Sequence, residues 1–281
     1  MKVGFNLLLW TAHVERRHEP LLGRLRELGY DGVEVPVMRG EVAHYAALGR
    51  AVRDAGLACT CSTAMPGPQA DPIAADPAAR RAGLDHLRRC IDRAAALGAT
   101  LLCGPTYQAL GRFTGCGPTA QERTWAVDAH RAAADHAAAA GVTLATEFLN
   151  RFECYFLNTV EAAAEHARAV GRPNFGVLYD TFHANIEESD PVGALARHLG
   201  AVRHVHLAEN HRGTPGTGHV DFAGTLAALR AGGYDGWVVV EAFGRALPEL
   251  AAATCIWRDL FPDPDSVPAA AIRLIRGLLT G

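Results

Sequence analysis

Ala231-Gly232-Gly233-Tyr234-Asp235-Gly236 leads directly into Trp237-Val238-Val239-Val240-Glu241, an apolar run that closes on a carboxylate. The same approach stands at Glu27-Leu28-Gly29-Tyr30-Asp31-Gly32, and shorter forms stand at Ala96-Leu97-Gly98 and Ala139-Ala140-Gly141. A glycine after an Ala/Leu/Arg-rich stretch closes a helix by taking the left-handed backbone conformation, and the β-branched run that follows reads as a strand. Worked outward along the chain, this unit occurs eight times, with strands expected at residues 3–10, 32–37, 57–65, 99–106, 142–150, 175–183, 202–210 and 236–244. Strands that alternate with helices pair in parallel through helical crossovers. Eight such units in 281 residues fit a single (β/α)8 TIM barrel spanning 1–281, for which ~250 residues is typical.

The composition agrees with a globular enzyme-sized domain and excludes several classes. Hydrophobic residues make up 49% of the chain and charged residues 20%, which is too apolar for disorder. The 27 basic and 30 acidic residues give a net charge of −3, without the basic run that a nucleic-acid groove requires. No apolar run approaches the ~20 residues of a membrane span, and Met1-Lys2-Val3-Gly4-Phe5-Asn6 is too polar for a secretory leader. Seven cysteines with no CxxC pair read as reduced thiols, Cys59 and Cys61 among them as core residues. A cytoplasmic protein with a small-molecule partner is expected.

In such a barrel, functional groups gather at the carboxyl ends of the strands. Four consecutive strands end in a side chain suited to chemistry: Val142-Thr-Leu-Ala-Thr-Glu147, Phe175-Gly-Val-Leu-Tyr-Asp180, Val202-Arg-His-Val-His206 and Trp237-Val-Val-Val-Glu241. Glu147, Asp180, His206 and Glu241 are 33, 26 and 35 residues apart, one β/α unit each. They should converge on one half of the barrel mouth. Three carboxylates brought together without a cation repel one another and take up protons, so the group makes physical sense around a divalent metal. Three oxygen donors and an imidazole suit Mn²⁺, Co²⁺ or Mg²⁺ in an open site better than structural Zn²⁺. Nearby stand Glu153, His183 and Arg212, either as pocket lining or as solvated loop charge, while Glu209, His211 and Arg151 read as solvated loop charge. His204 shares a strand face with His206 and reads as a polar residue of the barrel interior.

These residues resemble the sugar isomerase/epimerase superfamily with xylose-isomerase-like barrels, and within it the ketose 3-epimerases acting on tagatose, allulose or ribulose. The likeness rests on Glu147 with Glu153, Asp180-Thr181-Phe182-His183, His206-Leu-Ala-Glu209-Asn210-His-Arg212, Gly216-Thr-Gly218-His-Val-Asp221-Phe222 and Glu241-Ala-Phe243. It implies that Glu147, Asp180, His206 and Glu241 bind one divalent metal, usually manganese. It also implies that Glu153, His183 and Arg212 bind the first carbons of the sugar and their oxygens. Epimerisation next to a ketone needs a base on each face of the carbon, and Glu147 and Glu241 close strands on opposite flanks of the ligand arc.

The expected activity is inversion of C3 of a free ketose through a cis-enediolate. An aldose–ketose or hydroxypyruvate-type isomerase reuses the same groups, and a keto-inositol dehydratase is a further alternative. A barrel endonuclease is disfavoured by the neutral charge, and a non-catalytic sugar-binding barrel has no need of both carboxylate bases. The segment 213–218 reads as a hinge that places Arg212 and starts a helix at Asp221, in preference to a phosphate cradle. The carboxyl-terminal residues 247–279 hold Ile256, Trp257, Leu260, Phe261, Ile272, Leu274 and Ile275, more apolar surface than one closing helix requires. A homodimer or homotetramer is therefore expected.

Overall fold

The computed structural model describes residues 1–280. Eight parallel strands close in sequence order into one barrel: β1 (Lys2–Asn6), β2 (Gly32–Pro36), β3 (Ala58–Ser62), β4 (Leu101–Gly104), β5 (Thr143–Glu147), β6 (Phe175–Asp180), β7 (Val202–Leu207) and β8 (Trp237–Val240). Helices α1 (Pro20–Glu27), α2 (Val42–Asp54), α3 (Pro77–Leu97), α4 (Ala120–Ala139) and α5 (Val160–Val170) each follow the strand of the same number. Two short helices, α6 (Thr181–Glu187) and α7 (Pro191–His198), fill the sixth connection, α8 (Phe222–Ala231) fills the seventh, and α9 (Pro248–Ala253) and α10 (Val267–Thr280) follow β8. The (β/α)8 barrel expected from the sequence is the fold observed.

The expected helix-closing glycines do take the left-handed conformation, at φ 96° for Gly29, 89° for Gly98, 70° for Gly141 and 72° for Gly233. The strands are shorter than expected at their carboxyl ends, because polar side chains there bond to the backbone and turn the chain out of the barrel. Asn6 accepts the Leu8 N–H at 2.9 Å, and Asp180 accepts the Phe182 N–H at 2.7 Å, which starts α6 directly after β6.

Alternation along the strands divides the side chains into two sets. Outward residues such as Phe5, Val35, Leu102, Val177, Val205 and Val240 pack against the helices in the main hydrophobic core. The inward set is Asn6, Glu34, Thr60, Cys103, Glu147, Asp180, His204 and His206, every one buried, beside a small apolar cluster of Leu101, Cys103, Ala145 and Leu178. The barrel interior is therefore polar toward its mouth. Of the apolar carboxyl-terminal residues, Ile256, Ile272 and Ile275 are buried within the chain's own packing, whereas Trp257 is exposed. No helix among the described residues is long and apolar enough to cross a membrane.

Candidate metal and sugar site

Strand register assembles the site. Asp180 and His206 are direct partners on β6 and β7, and Glu241, one residue beyond β8, donates its N–H to the Leu207 carbonyl of β7. With Glu147 at the end of β5, the four expected residues each offer a donor atom, and all four atoms lie within 4.8 Å of one another. All four residues are buried. His206 Nδ1 stands 3.3 Å from Glu241 Oε1. Neither His206 Nδ1 nor Asp180 Oδ2 has a hydrogen-bond partner.

Buried polar atoms normally find partners, so two lone-pair carriers left bare beside two more carboxylates make a site built for a cation. The electrostatics agree. Burial, and then the charge of Glu241, pushes Glu147 well above the usual carboxylate range. The same two causes raise Asp180 to about 7. Burial alone lowers a histidine, but the carboxylates of Glu34 and Glu241 outweigh it and raise His206 well above its usual value. A bound dication removes this mutual repulsion. Oxygen-rich donors with one imidazole fit a hard or borderline divalent ion.

His183, Glu153 and Arg212 come together beside these groups. The Asn150 backbone N–H donates to His183 Nδ1 at 3.0 Å, and the ring's other nitrogen is Nε2. That nitrogen faces the site, 3.6 Å from Glu147 Oε1 and 3.8 Å from Asp180 Oδ2. Burial, then the neighbouring Arg212 cation, holds His183 well below its usual pKa, so the ring is neutral. Arg212 is 3% exposed. Its Nη1 lies 3.0 Å from Glu153 Oε1, its Nη2 lies 3.2 Å from His183 Nε2, and its guanidinium stacks 3.9 Å over the Phe182 ring.

Glu209 departs from its reading as solvated charge, because it is wholly buried. It accepts the backbone N–H groups of Asn210 at 3.0 Å, Gly216 at 2.8 Å and Val220 at 3.0 Å. Despite burial, these bonds hold its carboxyl below the usual range. Within 213–218 the Gly216 N–H is thus taken by an internal carboxylate, and Asp221 caps the helix that follows. The loop in turn fixes Arg212 in the left-handed region at φ 59°, its N–H bonded to the Glu209 carbonyl at 2.8 Å. Arg151 is exposed and pairs with Glu187, and His204 lies inside the barrel. Glu34, a charged residue inside the apolar strand Gly32-Val-Glu-Val-Pro36, escaped the sequence reading although its position on an inward face was its one signal.

A family model described as a xylose isomerase-like TIM barrel matches residues 22–265. The chain belongs to that family. Within it, the chain is 36% identical over 283 residues to a ketose 3-epimerase of Arthrobacter globiformis, covering 100% of this chain and 97% of the relative. An L-ribulose 3-epimerase of Methylomonas sp. (strain DH-1) is 31% identical, covering 98% of this chain and 97% of that one. A crystal structure of a D-allulose 3-epimerase from Methylomonas sp. in complex with D-allulose superimposes with a TM-score of 0.91 at 30% identity, covering 99% of this chain and 96% of that chain. By this kinship the chain is a carbohydrate isomerase of the ketose 3-epimerase type.

Proposed function

We propose that this protein is a metal-dependent epimerase that inverts C3 of a free ketose, with Glu147 and Glu241 as its two bases. The observation that carries the proposal is the placement of these two carboxylates on β5 and just beyond β8, three strands apart, with Asp180 and His206 between them. One carboxylate removes the proton on C3 and the other returns a proton to the opposite face. Glu147, Asp180, His206 and Glu241 would hold a divalent ion, Mn²⁺ by the family resemblance with Co²⁺ and Mg²⁺ equally suited to the donors, which when bound supplies Lewis-acid polarisation of the ketone.

Neutral His183 faces the site through Nε2, and Arg212, held by Glu153 and stacked on Phe182, adds a fixed positive charge beside the developing oxyanion. The relatives carry ketose, L-ribulose and D-psicose 3-epimerase names. The Gly216 N–H of the loop is already bonded to Glu209, which favours a free sugar over a phosphorylated one. Reduced thiols suit a cytoplasmic enzyme, since all seven cysteines are free. A homodimer or homotetramer is supported by Phe113, Phe152 and Trp257, large apolar side chains left exposed.

The test is a panel of free ketoses incubated with Mn²⁺-loaded enzyme in deuterated water. Deuterium at C3 together with the C3 epimer supports the reading. Label confined to C1 or C2, with aldose as product, overturns it in favour of an isomerase.

A further inference from the structure

The geometry points to Glu34, a residue outside the ligand set, as the positioning residue that orients two of the four metal ligands, His206 and Glu241. This rests on the metal reading above. Glu34 is wholly buried on β2, and its register partners on the flanking strands are Asn6 on β1 and Thr60 on β3. Its Oε1 faces His206 Nε2 at 2.8 Å and Asn6 Nδ2 at 3.0 Å. Its Oε2 faces His204 Nε2 at 2.7 Å, Thr60 Oγ1 at 2.9 Å and Cys103 Sγ at 3.3 Å. Five donors converge on one carboxylate from four strands. No oxygen lone pair of Glu34 is left over, so Glu34 serves Cys103, His204 and His206 as a hydrogen-bond acceptor and not as a ligand of a second cation.

Two consequences reach the metal cluster. An ionised carboxylate only accepts, so the bond from His206 requires a proton on Nε2. In the neutral ring that leaves Nδ1 as the bare lone pair, and Nδ1 is the atom that faces Glu241 without a hydrogen-bond partner. The second consequence runs through Asn6, whose Nδ2 donates at 3.0 Å both to Glu34 Oε1 and to Glu241 Oε1. One amide thus ties the orientation of Glu241 to Glu34. Glutamine at position 34 offers one oxygen where two are used, and its amide N–H₂ confronts a donating imidazole whichever way it turns. His206 or His204 must then tilt or give up its Nε2 proton.

Loss of such a supporting carboxylate weakens metal binding by typically ~10–100-fold. The experiment titrates metal-free wild type, Glu34→Gln and Thr60→Val with MnCl₂ by calorimetry. It also records, in the 15N-histidine-labelled, Mg²⁺-loaded wild type, the proton on His206, assigned by its absence in His206→Asn. Expected are a ~10–100-fold weaker Mn²⁺ affinity for Glu34→Gln, wild-type affinity for Thr60→Val, and a low-field, exchange-protected proton on His206 Nε2. Thr60→Val removes one donor from Oε2 alone, and an equal loss there would mean general loosening of the core and overturn the assignment. Equal affinity of wild type and Glu34→Gln, or a His206 proton on Nδ1 in the loaded wild type, overturns it too. The proton measurement decides even if Glu34→Gln does not fold. Failure of the wild type to bind Mn²⁺ refutes instead the metal reading beneath it.

Discussion

Arg212 Nη1 lies 3.0 Å from Glu153 Oε1, an ion pair in which the arginine is almost completely buried. The guanidinium also stacks between two rings, 3.9 Å from the centre of Phe182 and 5.2 Å from that of Phe243. The planar guanidinium is what this position uses against the rings, and lysine does not supply it. Arg212→Lys should therefore lower kcat/KM by roughly 10–100-fold, the range of one lost hydrogen bond to a charged group. Steady-state kinetics on the preferred ketose checks this, and a near-normal kcat/KM would show that charge alone suffices.

Replacement of either base tests their division of labour. Glu147→Gln and Glu241→Gln should each lower net epimerisation by ~10²–10⁴-fold, because the amide keeps the shape but cannot accept the proton. Metal content is measured on the same samples, since both residues belong to the ligand cluster. Each metal-bearing variant should wash solvent deuterium into C3 of only one epimer. Equal exchange into both epimers by both variants would replace two bases with a single relayed base.

The candidate metal site is one that a metal-free fold pays for in repulsion. With no cation, the charges of Glu147, Asp180 and Glu241 repel within a buried cluster. Asp180→Asn removes one charge and keeps an oxygen for the Phe182 N–H that starts α6. It should raise the melting temperature of the metal-free protein by ~2 °C or more. Wild type at a hundredfold excess of Mn²⁺ over its Kd should gain about 2.7 kcal/mol by mass action, and the variant should gain nothing. Differential scanning calorimetry with and without metal checks both halves, and a variant less stable than metal-free wild type would contradict the repulsion.

Stability toward acid should depend on a histidine pair far from the chemistry. His130 Nδ1 and His166 Nε2 are 2.7 Å apart between α4 and α5, and burial pushes His130 down to about 4. A folded value below the unfolded ~6.5 means the unfolded chain binds the proton more readily. The contribution is complete above pH 6.5 and is lost as the pH falls from there toward 4, by on the order of 3 kcal/mol for His130. Urea unfolding of wild type and the His130→Gln, His166→Gln double variant should diverge across that window. Parallel curves would rule the pair out as the acid-labile element.

The eight strand-and-helix units and the convergence of four candidate ligands were legible in the chain itself, because both follow from local rules. Helix-closing glycines mark four of the units, and strand-end polarity marks the mouth; Glu147, Asp180, His206 and Glu241 each terminate an apolar run of their own. Register is another matter. That Asn6, Glu34 and Thr60 stand side by side, and that His204, Cys103 and His206 reach the same carboxylate across the barrel, depends on the stagger with which the closed sheet pairs. Sequence separation carries no trace of that stagger. Glu209 was misread for a related reason: a glutamate in a glycine-rich loop has the composition of a solvated charge, and only the folded loop wraps its N–H groups around it. Local periodicity placed the donors at the mouth, and barrel closure decided which buried groups would hold them there.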